Sequence, residues 1–363
     1  MYTLLAFIAI FGGVVFIHEL GHFLAARSVG VRVDKFYVGF NPFGLGIVIH
    51  KGKETEYGLG FLPFGGYCKI AGMVDESLDP TVTGADDEFN SKNTFQKLWI
   101  LSAGVIMNFI LAIVLFFTVF IIYGEPTLAP IAYKVTENGP AYNAGIEPGS
   151  SIKKINDTFI YGWSDISEAL NDLSENEQIS IEYEFQDQYK IVSLIPTMVF
   201  IDETGDYRFL IGIERVPDEL IESDLEQYML FKKINFLDGV KRSLMAPLNI
   251  IILQAMGLIQ LISGNIGLDS LGGPIKITQM AGQAAEFGLS YFLQFMAMIS
   301  TLLGFMNILP IPGLDGGHGL IAIIEGLLGR KIPIKTKIVI QNIAGILLLS
   351  LMLFIMWNDI RSL

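Results

Sequence analysis

Val14–Phe23 reads VVFIHELGHF. Two histidines and a glutamate stand inside an apolar stretch that begins at the first residue and carries no Lys or Arg before Arg27. The run is long enough for a spanning helix of about 20 residues. On a helix, residues i and i+4 share a face. His18 and His22 therefore point the same way, with Glu19 beside them. Unsatisfied polar groups are penalised in hydrocarbon, so a plain pair of core histidines is a poor explanation. A metal ion is a better one. Two imidazoles and a nearby carboxylate are the usual start of a hydrolytic zinc site, with the glutamate as general base.

Composition agrees with a membrane location. The chain has 363 residues, of which 52% are hydrophobic, and its mean hydropathy is +0.51. The net charge of −13 argues against nucleic acid as a partner. A single cysteine, Cys68, excludes an internal disulfide and a cysteine-based zinc site; it reads as a packing residue.

Four spanning helices are expected. The first covers residues 1–26; it lacks the basic leader of a signal peptide and reads as retained, with its N-terminus outside. The second is 98–123, LWILSAGVIMNFILAIVLFFTVFIIY, in which Asn108 reads as a packing or helix–helix hydrogen-bonding residue. The others are 290–309 and 339–357, joined by the basic GRKIPIKTK, which belongs on the cytoplasmic side. Residues 243–263 are apolar but contain Pro247, Asn249, Gln254 and Gln260. They read as an amphipathic helix on the membrane surface, because a span there would break the charge alternation.

Between the first two spans, residues 30–73 alternate like strands, and FLPFGGYCKIAGM (61–73) reads as an apolar loop dipping into the membrane. Residues 75–93 read as polar and mobile. Residues 126–242 carry 21 acidic and 10 basic residues, which suits the extracytoplasmic side. The expected layout is thus 1–125 for the first two spans and the β-rich loop, 126–215 for an α+β insert, 216–289 for a linker and surface helices, and 290–363 for the last two spans.

Zinc needs a third protein ligand and an open position for water. His50, His318 and the carboxylates near membrane depth are candidates. MNILPIPGLDGGHGL (306–320) ends a span at Pro310 and Pro312 and holds Asp315, a carboxylate without a basic partner in its segment. A cation explains it well, so Asp315 is preferred over His318, and His50 reads as an ordinary polar residue.

HELGH in the first span, LPFGGYCKIAG after it, SAGVIMNF in the second, a PDZ-like insert, and NILPIPGLDGGH near the end occur in order. Together they resemble the site-2 protease family, in its bacterial RseP-type branch. The resemblance covers nearly the whole chain. It implies a polytopic α-helical membrane protein with a membrane-associated β-hairpin region and one inserted PDZ-like domain. It implies an intramembrane zinc metalloendopeptidase of the bacterial inner membrane, with His18, His22 and Asp315 on the metal and Glu19 catalytic. Asn307 would hold the substrate main chain. Phe64, Gly65, Gly66 and Tyr67 would lie in a hairpin that binds an unwound substrate as an added strand. Substrates would be transmembrane segments of single-span proteins, such as anti-sigma factors and remnant signal peptides. The insert would bind peptides or exclude bulky proteins; larger members carry two PDZ domains, and this insert has room for one. Two other classes compete. A membrane adaptor with a structural metal would need four protein ligands and no base, against which Glu19 stands. A metal transporter would call for a His-rich tract, and none occurs.

Overall fold

The computed structural model describes residues 2–40, 46–73, 83–171, 173–201, 206–267 and 271–361. The chain forms two compact units, Phe120–Phe236 and the remainder on either side of it.

The larger unit opens with α1 (Tyr2–Ser28), which carries HELGH. Four strands follow: β1 (Val33–Phe40), β2 (Ile47–Lys51), β3 (Glu56–Leu59) and β4 (Leu62–Ile70). They form one sheet in the order β2-β3-β1-β4, with β1 parallel to β3 and antiparallel to β4. The segment expected as an apolar loop or hairpin is thus a single strand, β4, at a sheet edge. Its partner is the non-adjacent β1, because β3 runs parallel to β1 on the other side. α2 (Thr94–Ile122) completes this half.

The polar stretch before α2 departs from expectation. Its first part, 74–82, lies outside the described residues. Thr83–Asp86 are exposed, but Glu88 and Phe89 are buried. The Glu88 carboxylate accepts from the Thr83 and Gly84 main chain and the Thr83 hydroxyl at 2.7–2.9 Å.

The smaller unit is α+β. It contains β5 (Glu125–Leu128), β6 (Ile131–Ala132), β7 (Lys134–Val135), α3 (Pro140–Asn143), β8 (Ser150–Ile155), β9 (Thr158–Phe159) and α4 (Trp163–Asn171). It continues with β10 (Ile179–Phe185), β11 (Gln188–Leu194), β12 (Thr197–Ile201), β13 (Asp206–Leu210), β14 (Ile213–Glu214), α5 (Asp218–Ser223), α6 (Leu225–Tyr228) and β15 (Met229–Lys232). The main sheet runs β11-β10-β8-β6, and β9 pairs with β8. The alternation in QISIEYEF buries Ile179, Ile181 and Tyr183 against Ile152, Ile155, Ile166 and Leu170. Asp165 closes the turn before α4. Its carboxylate accepts from the Tyr161 and Gly162 N–H groups at 2.8 and 3.2 Å and from Lys232 Nζ at 2.9 Å.

The chain then returns to the larger unit as α7 (Phe236–Ile262), α8 (Pro274–Glu286), α9 (Leu289–Ile308), α10 (Asp315–Leu328) and α11 (Ile334–Arg361). Five helices among the described residues are long and apolar enough to cross a membrane: α1, α2, α7, α9 and α11. The segment expected on the membrane surface, 243–263, belongs to one of them, α7. Length and composition thus permit a span there, while the charge alternation argues for a place on the membrane surface.

α1 sits centrally. Phe7, Ile10 and Val14 pack on Ala281 and Ala284 of α8 and on Phe295 and Ile299 of α9. Its other half packs through Ala25 and Ala26 on β1, β4 and α2. α9 ends at Ile308, just before Pro310 and Pro312, which cannot continue the hydrogen-bond ladder. α10 then begins at Asp315. A Cβ at Gly316 or Gly317 would run into the carbonyls of Ile308 or Ile311, so the paired glycines let the first turn of α10 lie against this break.

Candidate metal centre and catalytic site

His18 and His22 are both buried on one face of α1. That face meets α2 where the two helices approach closely. A Cβ on Gly21 would strike the Ala103 carbonyl, and one on Gly104 would strike His22 Nε2. Glycine at these positions admits the imidazoles between the helices. The chain break after α9 carries Asp315 to the same point. His18 Nε2, His22 Nε2 and Asp315 Oδ2 form a triangle 3.2 Å on each side.

The donor set suits a metal ion. Three corners of a tetrahedron around zinc, with bonds of about 2.0–2.1 Å, stand about 3.3 Å apart. Asp315 Oδ2 is buried and accepts no hydrogen bond among the described residues, despite its nearness to both rings. The His22 Nδ1–H donates to the Ile100 carbonyl at 2.9 Å, which turns the Nε2 lone pair toward the triangle. Lone pairs converging in a buried space repel unless a cation lies among them.

Glu19 lies beside this triangle, under β4. The Cys68 main-chain N–H donates to its carboxylate. A Cβ on Gly66 would overlap Glu19 Cγ and approach Val15 Cγ1 to 2.7 Å, so β4 rests directly on the glutamate. A cavity of about 340 Å³ opens here, lined by the triangle, Glu19, Asn307 and the Gly65–Tyr67 main chain and side chains. Asn307 Nδ2 stands 3.3 Å from His18 Nε2. The side chain of Phe64 lies outside the described residues, although its strand position is clear.

The remaining histidines stand apart from the triangle. His318 lines the same cavity, but its Nε2 meets the Gln341 amide at 3.1 Å. His50 is exposed on edge strand β2 and stacks on Tyr57. Two contributors were not read from the sequence. The Ile100 carbonyl belongs to the main chain and has no residue-type signature. Asn108, expected as a packing or helix–helix hydrogen-bonding residue, meets His18 Nδ1 of α1 at 3.2 Å, a partner the sequence did not name. Its spacing of four from Gly104, itself four from Ile100, was the available signal.

Residues 6–351 match the model of peptidase family M50. The chain belongs to peptidase family M50.

This is the site-2 protease family, and the M50 chain is a zinc metalloprotease. Its relatives include a Clostridium acetobutylicum protein named as a zinc metalloprotease, 33% identical over 96% of this chain and 95% of that protein. A Campylobacter jejuni protein named in the same way is 32% identical, over 98% of this chain and 92% of that one. The regulator of sigma-W protease RasP of Bacillus subtilis is 28% identical over 99% of both chains. With its long apolar helices, this M50 protease is a multi-pass bacterial membrane protein of the RseP type.

Proposed function

We propose that this M50 protease cuts transmembrane segments of single-span proteins inside the inner membrane, in regulated intramembrane proteolysis. The observation that carries the reading is the triangle of His18, His22 and Asp315 beside Glu19, set among apolar helices. In this reading those three residues hold zinc. When bound, zinc polarises the scissile carbonyl and acidifies the attacking water toward a pKa of about 7. Glu19 takes a proton from that water and returns it to the leaving amide nitrogen. The Cys68 N–H keeps the carboxylate aimed at the cavity. Asn307 holds the substrate main chain near the triangle.

Substrate enters extended rather than helical, since a helix hides its peptide bonds. Edge strand β4, with Gly65, Gly66 and Tyr67 on the cavity wall and Phe64 beside them, accepts it as an added strand. RasP is named for sigma-W regulation, which favours membrane-anchored anti-sigma factors as one substrate class; remnant signal peptides are a second class that the family resemblance implies. The acidic unit between α2 and α7 acts as a PDZ-like domain on the extracytoplasmic side. It contacts peptides or excludes bulky proteins. Four spans, with α7 on the membrane surface, keep the basic 329–337 loop cytoplasmic.

The test is purification in detergent, a metal assay, and cleavage of a model membrane-spanning peptide. Glu19→Gln is expected to keep zinc and lose at least 100-fold in turnover, as for removal of a general base (~10²–10⁴-fold). Undiminished cleavage by Glu19→Gln, or a wild-type protein without zinc, overturns the assignment.

A further inference from the structure

Asn108 is fully buried in the middle of α2, within an apolar run. Its position is tightly fixed. The Ser300 hydroxyl of α9 donates to its main-chain carbonyl at 2.8 Å, and a Cβ on Gly304 of α9 would come within 3.6 Å of its own Cβ. Its carboxamide faces His18 Nδ1 at 3.2 Å, and its Oδ1 has no partner among the described residues. An unsatisfied buried amide oxygen costs about 1–3 kcal/mol, so a residue kept this rigid needs a reason to keep that oxygen.

The geometry of His18 supplies one. Its Nε2 is a corner of the triangle with His22 Nε2 and Asp315 Oδ2, and coordination of a metal there requires the lone pair on Nε2. The neutral ring then carries its proton on Nδ1. The atom of Asn108 that faces Nδ1 must accept, and the oxygen end of a carboxamide is isosteric with the nitrogen end. Exchanging the two ends gives Oδ1 the donor it lacks. His22 shows the same arrangement, with Nδ1–H donating to the Ile100 carbonyl. Ile100, Gly104 and Asn108 are spaced by four along one face of α2. The first and last orient one imidazole each, and the middle one leaves room for both.

We propose that Asn108 is the positioning residue for His18, its amide oxygen accepting the Nδ1–H and committing Nε2 to the metal. This rests on His18 as a metal ligand. Outer hydrogen bonds of this kind are worth about 10–100-fold in metal affinity.

The full-length protein in detergent is titrated with chelators of graded strength, and zinc retention is measured for wild type, Asn108→Leu, Asn108→Ala and Asn108→Asp. Leu is close in volume and Asp supplies an acceptor. Asn108→Leu and Asn108→Ala are expected to bind zinc about 10–100-fold more weakly, and Asn108→Asp to hold it at least as well as wild type. Equal retention by Asn108→Leu, or a loss in Asn108→Asp as large as in Asn108→Leu, overturns the proposal. A second readout needs no variant. With only four histidines in the chain, nitrogen-15 spectra of the zinc-loaded wild type are expected to show His18 protonated at Nδ1 and metal-bound at Nε2. The reverse assignment overturns the proposal. A wild type that holds no zinc refutes instead the metal reading beneath it.

Discussion

Gly104 and Gly66 press on different parts of the site, and the consequences of filling each one separate binding from catalysis. A methyl on Gly104 meets His22 Nε2 and comes within 2.8 Å of His18 Cε1. The rings cannot retreat, since α1 already touches Ala103 through Gly21. Gly104→Ala is therefore expected to lose zinc and activity together. The atoms nearest a methyl on Gly66 belong to Glu19 and Val15. Gly66→Ala is expected to retain zinc while cleavage falls at least tenfold, because the general base is turned from its water. Metal content and turnover, measured on the same preparations, check both. At this scale the sequence was informative wherever a residue type carries the chemistry. His18, Glu19, His22 and Asp315 were legible as a motif and as a carboxylate at membrane depth. Asn108 was legible as a helix–helix hydrogen-bonding residue, but that its partner is His18 was not, because the identity of the neighbour depends on how α1 and α2 pack.

Among elements, α10 matters most, since its first residue is Asp315. Its far end is anchored by Glu325, whose carboxylate accepts from Lys337 Nζ of α11 at 2.7 Å and from the Ile332 N–H at 2.8 Å. Lys97 of α2 lies 3.6 Å away, and all three side chains are largely buried. Removing the acid strands two buried ammonium groups. Glu325→Ala is expected to destabilise the protein by about 3–5 kcal/mol, read as a lower unfolding midpoint in detergent, with weaker zinc binding. An unchanged midpoint would show that water reaches both lysines. The C-terminal helix is tied in the same manner: Asp359 of α11 accepts from the Gly273, Ile275 and Lys276 N–H groups at the start of α8, at 2.9–3.2 Å. The helix break at Pro310 and Pro312 was readable from the sequence, because proline acts locally. The pairing of β4 was not. Alternation shows that a strand exists, but its neighbour depends on how β1 and β3 are already arranged.

For the whole molecule, stability has two separable controls. In the larger unit, under the proposed assignment, zinc would bind only the folded arrangement of the triangle and stabilise it with the logarithm of its concentration over its dissociation constant. At a thousandfold excess this is about 4 kcal/mol. Stripping the metal with a chelator is expected to lower the unfolding midpoint, and added zinc to restore it. In the smaller unit the control is pH. Burial pushes the Asp165 carboxyl up, but the Lys232 ammonium and the Tyr161 and Gly162 N–H groups outweigh it and hold it below the usual aspartate value. The Lys190 hydrogen bond holds Glu147 below the usual glutamate value in the same way. A carboxyl lowered on folding stabilises the fold above its unfolded pKa, near 3.9 for Asp and 4.3 for Glu, and this is lost as pH falls through the lower folded values. Lys232→Gln is thus expected to lower the midpoint at pH 7 and to lower it much less near pH 3. A constant difference between the two proteins would contradict the linkage.

By itself the sequence determined the helix that carries His18, Glu19 and His22, the apolar segments and the helix break before Asp315, and it showed the acidic character of the stretch between α2 and α7. Each of these is set by residue type and spacing within a short stretch, where helix and strand periods are the same in any surroundings. The sequence favoured Asp315 over His318 and His50, and the tertiary structure brings it within 3.2 Å of both imidazoles. Tertiary structure alone decided that β4 rests on Glu19 and that the Ile100 carbonyl and Asn108 meet the two rings. Those outcomes depend on distances between segments far apart in the chain, and such distances are set by close packing at positions like Gly21, Gly104 and Gly316, which no local pattern encodes.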